Sequence, residues 1–574
     1  MFRIFRLFDR AVVGLGFLVS LCLVGLLGFS IPASIKEIIF YFVVIVSLVF
    51  ISRELVRFVM IRDKRQYFHA DWFDDLIVLL MITGGGYGFF SKSGEPLHDF
   101  LTWYWGVLVI LGLFSALIDR VETRVTSSKV KLRPAQVFIF SFAIPIVVGA
   151  CLLKMPNSAQ FDMTWVDAIF MATSAVAVTG LGVFDLNQLT LLGQIILLVL
   201  VQLGGLGIMT LTMAFTSLIA GGLGVKDRLM LGEMLSEDKL SEVKSLLFKI
   251  CLFTFAIEAI GIAALYGASR SYNEPIDLIL VWNSIFHGVS AFCNAGFSLA
   301  PQNLMDPQYA LNVTFMVIIM VLVVLGGLGF PTLSNLQRIL FSYFSRSPKY
   351  KILTTSSRMV LTATVGLLIG GALLIWGMES RVRFAEMSTL ESFFNSLFLS
   401  VTARTAGFNM VPTEEISVVT LFILIFLMWI GGAPMSTTGG IKVTTFFVGV
   451  LNLWSQVNGS RRLEIFGKSI RHDSVLKAYA VMMTSVGVIF LSSLAMVYLE
   501  PALNPMDILF EVVSAFSTVG LSRGVTQQIQ DQSKLLLVML MFVGRVGAIT
   551  FLTAFVAPRD PERYKLLEDD VIIQ

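Results

Sequence analysis

The chain has 574 residues, of which 56% are hydrophobic and only 14% charged, with a formal net charge of +3 at pH 7. That composition excludes an ordinary soluble globular protein and requires lipid to solvate much of the surface. Crossing the hydrocarbon core as a helix takes about 20 apolar residues, and roughly a dozen such stretches account for nearly the whole chain, so no sizeable soluble domain fits between them.

The first four apolar segments are Ala11–Ile31, Ile38–Met60, Phe73–Phe90 and Leu101–Ile118. The first follows three arginines as a signal peptide would, but it is longer than a usual apolar signal core and lacks a small-residue cleavage site, so it reads as a retained helix. Together they make an amino-terminal four-helix membrane domain, residues 1–130. Four helices ahead of a pore, with Asp71-Trp-Phe-Asp-Asp75 opening the third, suggest a voltage sensor. The fourth helix nevertheless lacks an arginine at every third position, and gating charge has to lie within the membrane field. A structural or partner-docking role is the expectation.

Lysines and arginines are sorted by connector. Arg3 to Arg10, Arg53 to Arg65, Arg120 to Arg133, Lys226 to Lys249, Arg338 to Arg358, Arg461 to Lys477 and Arg559 to Lys565 fall on alternate connectors. That asymmetry places those connectors and both termini in the cytoplasm. It also explains the small positive charge without nucleic acid as a partner. Cys22, Cys151, Cys251 and Cys293 sit in or beside apolar segments with no C-x-x-C pair, which indicates neither a disulfide framework nor a zinc site.

Downstream, one phrase occurs four times: Ser174-Ala-Val-Ala-Val-Thr-Gly180-Leu, Ser290-Ala-Phe-Cys-Asn-Ala-Gly296-Phe, Val401-Thr-Ala-Arg-Thr-Ala-Gly407-Phe and Ser514-Ala-Phe-Ser-Thr-Val-Gly520-Leu. By difference of their numbers the glycines are 116, 111 and 113 residues apart. A second phrase follows each: Gly204-Gly-Leu-Gly207, Gly326-Gly-Leu-Gly329, Gly431-Gly-Ala-Pro434 and Gly544-Arg-Val-Gly547. The repeating unit is an apolar helix (near Ala135–Leu153, Leu247–Tyr266, Val360–Met378, Ala478–Leu499), a stretch too short to span, the glycine phrase, and a second long helix. The second helices are expected near Leu189–Leu218, Leu311–Leu340, Val418–Val450 and Leu535–Val556. Short stretches such as Trp165–Thr173 and Pro505–Ser514 begin with helix-start residues and are expected to dip into the membrane from outside. The fold class is therefore all-α polytopic, with four tandem helix–pore-loop–helix repeats forming a pseudo-tetrameric pore: 131–222, 223–345, 346–455, and 456–574 including a cytoplasmic tail.

Non-helical backbone at membrane depth survives only if it is buried in protein or lines a watery cavity. Four such segments meeting on an axis would do the latter. The candidate filter is Val178, Thr179 and Gly180; Asn294, Ala295 and Gly296; Thr405, Ala406 and Gly407; Thr518, Val519 and Gly520. Glycine permits the backbone angles that let successive carbonyls point one way, and a ring of carbonyls can replace the hydration shell of a monovalent cation. Small-residue phrases also serve close helix packing. Packing alone does not call for the half-length helix before each copy.

Two features break the fourfold pattern. In repeat 3, Gly431, Gly432, Ser436, Thr437, Thr438, Gly439, Gly440 and Lys442 lie in a segment too rich in glycine, with Pro434, for a continuous helix; it reads as a gate or as a static kink. In repeat 4, Arg545 stands where the other repeats have Gly205, Gly327 and Gly432. An arginine in mid-span costs about 2.5–3.5 kcal/mol on insertion scales. It is expected either to face the pore or to meet a buried partner, with Glu511 a candidate, or carbonyls. Arg404, beside the third phrase, is expected to brace the loop through carbonyls or Glu391.

On these phrases, over about Arg133 to Arg563, the chain resembles the Trk/Ktr/HKT superfamily of potassium transporters, specifically the membrane subunit of bacterial Trk and Ktr systems. The resemblance implies a single-chain pseudo-tetrameric pore in the inner membrane, homodimerisation, a gating loop at Gly431–Lys442 and a pore arginine at Arg545. It also implies docking on a cytosolic ring of regulatory proteins that bind ATP/ADP or NAD(H). In the plant branch a serine in place of the first filter glycine accompanies sodium permeation; here all four positions are glycine, which favours potassium. The sequence departs from the family at Cys293, where asparagine is common, and in its larger amino-terminal region.

The expected function is potassium uptake driven by the membrane potential, with potassium bound at the filter residues, no organic cofactor on the chain, and no enzymatic activity. The alternative is a sodium- or proton-coupled symporter. A proton relay needs intramembrane carboxylates, for which Glu258 is the main candidate.

Overall fold

The computed structural model describes residues 2–60, 79–81, 102, 104–109, 134–206, 243–270, 277–344, 353–460 and 462–556. Among the described residues, four helices are long and apolar enough to cross a membrane, or up to six if each sharply bent pair is one span.

The leading helices of the four repeats are Pro134–Leu153, Val243–Ser269, Thr355–Glu379 and His472–Leu499. Their outer faces carry exposed apolar side chains, among them Val147, Ile260, Leu374 and Leu491, as lipid-facing helices must. The short helices are Trp165–Val176, Leu278–Phe292, Thr389–Thr402 and Pro505–Phe516. At 1.5 Å per residue a helix of this size spans only about 18–23 Å, less than the hydrocarbon core. Each starts at a side-chain cap that accepts an otherwise unpaired backbone N–H: Thr164 from Asp167, Asp277 from Ile279, and Asn504 from Met506. Ser388 and Glu391 form a reciprocal capping box. The later turns of all four short helices are buried, so these helices form the centre of the molecule.

The trailing helices differ from the sequence expectation. Long uninterrupted helices were expected in repeats 2 and 4, but the chain breaks at the second glycine phrase in both. Val313–Gly327 and Phe330–Phe344 meet at 104°, and Asp531–Val546 and Ala548–Phe555 at 95°. Gly329 and Gly547 at these breaks have φ of 75° and 89°, the left-handed region that glycine enters without steric cost. Repeat 3 breaks more widely, with Val418–Trp429 and Val443–Val457 separated by the loop at 430–442. In repeat 1 the described helix is Leu191–Gly205; Gly207 and the rest of the expected Leu189–Leu218 helix lie outside the described residues.

After Val443–Val457 a small antiparallel hairpin pairs Glu464–Ile465 with Lys468–Ser469 through Phe466 and Gly467. Both turn residues have positive φ, the geometry that matches strand twist. At the amino terminus, Phe2–Gly28 and Ala33–Met60 pack around Val19, Leu23, Val43 and Phe50. Asn157 Nδ2 of repeat 1 donates to the Leu27 carbonyl at 3.0 Å. The third and fourth expected amino-terminal helices lie outside the described residues except for 79–81, 102 and 104–109, and the residues from 557 on, which include the expected cytoplasmic tail, lie outside them entirely.

Candidate functional site

Each short helix runs directly into its glycine phrase, and the four phrases share one backbone conformation. Two residues before the glycine the backbone turns left-handed at Val178 (φ 54°), Asn294 (60°), Thr405 (66°) and Thr518 (50°), and it does so again at Gly180 (92°), Gly296 (68°), Gly407 (74°) and Gly520 (93°). Left-handed backbone costs about 1–2 kcal/mol for a residue with a Cβ and is most unusual for β-branched side chains. Here it recurs in Val178, Thr405 and Thr518. Strain of this kind, repeated here in register, clusters at active sites and ligand clamps.

The amides of the phrases bond backwards. Thr179 N–H donates to Ser174 O, Ala295 N–H to Ser290 O and Val519 N–H to Ser514 O at 2.7–2.8 Å, and Ala406 N–H donates to Thr402 O at 3.0 Å. Hydroxyls clasp the far side of each loop. Ser174 Oγ donates to Leu181 O, Ser290 Oγ to Phe297 O and Thr402 Oγ1 to Phe408 O, while Ser514 Oγ accepts from Gly520 N–H. The phrase carbonyls are left over. Among the described residues the only hydrogen bond donated to a carbonyl of the twelve predicted filter residues runs from Asn303 Nδ2 to Gly296 O. Buried carbonyls left without donors are costly, and a cation is a ligand that many of them can share.

These carbonyls meet on one ring. A Cβ on Gly180 would strike Ala295 O, one on Gly296 would strike Ala406 O, one on Gly407 would strike Val519 O, and one on Gly520 would strike Thr179 O. Each repeat therefore abuts the next in chain order, and the fourth closes on the first. The C-terminal ends of four helices surround this ring, adding their partial negative charge to that of the carbonyls.

The second glycine phrase has a packing reason that follows from the first. Gly204, Gly326 and Gly544 face the last carbonyls of their own short helices, Val176 O, Phe292 O and Phe516 O, where any side chain would collide. Repeat 3 differs. Arg404, 6% exposed, donates from Nη2 to Gly431 O at 2.9 Å and from Nη1 to Thr364 O at 3.3 Å. It braces the loop through carbonyls. Glu391, the other expected partner, instead caps its own helix.

The loop of repeat 3 lies under the ring. Its neck is closed by Gly431 N–H to Ile441 O at 2.8 Å and Val443 N–H to Gly432 O at 2.9 Å. Its body is knotted by Ser436 Oγ, which lies 2.6 Å from Thr438 Oγ1, and by Gly432 N–H donating to Thr438 Oγ1 at 3.0 Å. Ala433 N–H donates to Gly327 O at 2.9 Å, joining it to the break in repeat 2. Upward, Gly439 sits against the Thr518 side chain, Gly440 against Ser517, and Thr437 Oγ1 lies 3.3 Å from the Asn294 amide. Lys442 Nζ donates back to Thr438 O at 2.6 Å.

Arg545, 2% exposed, reaches from repeat 4 to two other repeats. It donates to Thr437 O of the loop through Nη1 and to Gly204 O of repeat 1 through Nη2, the latter at 2.6 Å. The suggested ion pair with Glu511 does not form. Glu511 is occupied by Ser522 Oγ, Thr526 Oγ1 and the Arg523 amide. The carbonyl-bonding alternative is the one realised.

Sequence reasoning passed over the hydroxyl clasps, although three of the four phrases open with serine. It named Glu258 without its surroundings. Glu258, 2% exposed, accepts from Gln202 Nε2 at 3.0 and 3.1 Å, and Cys293 Sγ lies 3.7 Å away. The departure at Cys293 is thus the thiol end of a buried polar cluster behind the second phrase.

Comparison with known proteins gives concordant similarities. Residues 120–563 match the family model described as TrkH, a cation transport protein. The chain is 34% identical over 433 residues to the Ktr system potassium uptake protein B of Bacillus subtilis, covering 74% of this chain and 94% of the relative. It is 32% identical over 459 residues to the potassium/sodium uptake protein NtpJ of Enterococcus hirae, covering 77% and 98%. The crystal structure of the potassium transporter TrkH from Vibrio parahaemolyticus superposes with a TM-score of 0.59 at 18% identity, over 91% of this chain and 98% of that one. The last comparison concerns the fold alone.

Proposed function

Because the chain belongs to the TrkH family of cation transport proteins, as a membrane subunit of the Trk/Ktr potassium-transporter kind, we propose that it takes up potassium through the ring formed by its four glycine phrases. It is a multi-pass membrane transporter and not an enzyme. The observation that carries this reading is the shared left-handed pair in all four phrases, at Val178 and Gly180, Asn294 and Gly296, Thr405 and Gly407, and Thr518 and Gly520. With almost no protein donor for their carbonyls, the ring offers a dehydrated potassium ion the oxygens it has lost from water. Transport runs inward down the membrane potential, across the inner membrane, with both termini cytoplasmic.

The loop at 431–442 is the gate in this reading, and Arg545 its latch. The loop lies across the inner end of the ring and carries four glycines, so its backbone has alternatives a helix would not. Arg545 holds it through Thr437 O, and losing that bond frees the loop without unfolding any helix. A cytosolic ring binding ATP/ADP or NAD(H) regulates the gate, and two copies of the chain form a homodimer in the lipid. The test is potassium-limited growth of an uptake-deficient host expressing the chain, with and without its cytosolic partner. Growth indistinguishable from the empty host under both conditions would sink the proposal.

A second reading, sodium- or proton-coupled uptake, draws on the buried Glu258 cluster and on the name of the Enterococcus relative. Flux that follows an imposed proton or sodium gradient at zero membrane potential would favour it; flux that follows potential alone would remove it.

A further inference from the structure

We propose that the outer end of the ring is held by two hydroxyl clamps, on repeats 2 and 4 only, and that these set discrimination between potassium and the smaller sodium ion. The inference rests on reading the ring as the potassium path and deepens it.

The clamp joins two positions fixed relative to the ring glycine. Nine residues before it the short helices carry Met171, His287, Phe398 and Glu511; two residues after it stand Gly182, Ser298, Asn409 and Ser522. In repeat 2, His287 Nδ1 lies 2.8 Å from Asn283 O, so Nδ1 carries the proton and Nε2 is the acceptor. Ser298 Oγ, 2.8 Å from Nε2, therefore donates to it, and accepts in turn from Ala300 N–H at 3.2 Å. In repeat 4, Ser522 Oγ donates to Glu511 Oε1 and accepts from Gly524 N–H at 3.1 Å. Imidazole and carboxyl differ in chemistry, yet the two repeats build the same circuit. An acceptor on the short helix takes the serine proton, and the serine oxygen takes the amide proton two residues on.

Repeats 1 and 3 cannot build it. Gly182 has no side chain to meet Met171, and Phe398 offers no acceptor to Asn409, whose Oδ1 is buried without a hydrogen-bond partner. In the order of the ring contacts, repeats 2 and 4 are opposite each other. The ring is therefore fourfold in backbone conformation but twofold in its outer supports.

Both acceptors are held without slack. His287 and Glu511 are fully buried. His287 packs against the Tyr309–Phe315 ring pair, with ring centroids 5.1 and 5.9 Å away. Thr526 Oγ1 donates to the other Glu511 oxygen at 3.0 Å. The serines lie where the chain leaves the ring, so the clamps hold apart the two opposite walls of its outer end. A ring that contracts on one diagonal loses its preference for the larger ion, whether that preference arises from cavity size or from the number of carbonyls that reach the ion. His287 and Glu511 do not touch the ion; they are positioning residues acting through serine.

The experiment compares potassium and sodium uptake by the full chain in proteoliposomes under an inside-negative potential. If the unaltered protein takes up sodium as readily as potassium, the proposed function fails before the clamps are tested. Given a selective parent, Ser522→Ala and the pair Glu511→Met with Ser522→Gly, which copies repeat 1, are each expected to lower the potassium-to-sodium ratio by about threefold or more, the scale set by one hydrogen bond. Ser298→Ala is expected to act likewise, while Ser522→Thr keeps the hydroxyl and restores the ratio. Single removal of a hydroxyl guards against misfolding of the paired variant, and gel-filtration elution checks each protein. Ratios within twofold of the parent for both serine-to-alanine proteins would overturn the inference. So would a drop in total uptake with the ratio unchanged, the mark of a merely structural contact.

Discussion

Arg404 donates to the carbonyl of Gly431 at 2.9 Å, joining the third glycine phrase directly to the first residue of the loop beneath the ring. In the other three repeats a bare glycine touches the end of its short helix at the corresponding place. The guanidinium gives repeat 3 a tether in place of a packed contact, and the neighbouring loop is the one that leaves helical geometry over the longest stretch.

Replacing Arg404 by methionine leaves Gly431 O buried without its donor, while Thr364 O, inside the helix Thr355–Glu379, keeps its helical N–H. The expected cost is about 1–3 kcal/mol, the scale of one buried unpaired polar group. Lysine restores only part of it, because one ammonium cannot reproduce the planar fork. Thermal unfolding in detergent reads this out; an Arg404→Met protein melting with the parent contradicts it.

A Cβ on Gly520 meets Thr179 O and must adopt a φ of 93°. Gly520→Ala is therefore expected to lower rubidium uptake more than about tenfold through loss of ring geometry, at undiminished membrane insertion, since the strain is local. Retention of half the parental uptake would show that the ring tolerates displacement at this contact.

Arg545→Ala removes both donors that fix Thr437 and Gly204. Basal uptake without the cytosolic partner should rise several-fold, and deletion of Ser436–Gly440 should do the same. If neither change alters flux or the response to the partner, the loop is a fixed kink and not a gate.

Glu500 Oε1 accepts from Gln530 N–H at 2.7 Å and Ser533 Oγ at 2.8 Å, so the end of the leading helix of repeat 4 caps the start of its trailing helix. Glu500→Ala is expected to cost about 1–2 kcal/mol. Glu500→Gln, which keeps an acceptor oxygen, should cost less than half as much in the same unfolding assay.

The helix–short helix–helix order was legible because apolar length, capping residues and a repeated phrase are all local signals. The meeting of Gly180, Gly296, Gly407 and Gly520 on one ring was legible from their near-constant spacing. The breaks at Gly329 and Gly547 were not: one glycine in an apolar run is compatible with a helix, and the packing of neighbouring repeats decides its φ. Which of the open alternatives Arg545 takes was not legible for a related reason. Glu511 is the nearest buried carboxyl in sequence, but the carbonyls that Arg545 meets belong to residues more than 100 positions away. The clasp at Thr402 was hidden by a shift of one residue, since Val401 occupies the place that serine fills in the other three phrases.

The closure of Gly520 on Thr179 also constrains how the protein comes into being. The wall that completes the ring belongs to the last of the four repeats to be synthesised, and the surface it docks against belongs to the first. Until that docking, the carbonyls of the first three phrases face a gap where the fourth will stand. A ribosome that stalls in the third repeat therefore leaves the ring of glycine phrases open, and it closes only when the fourth repeat meets the first.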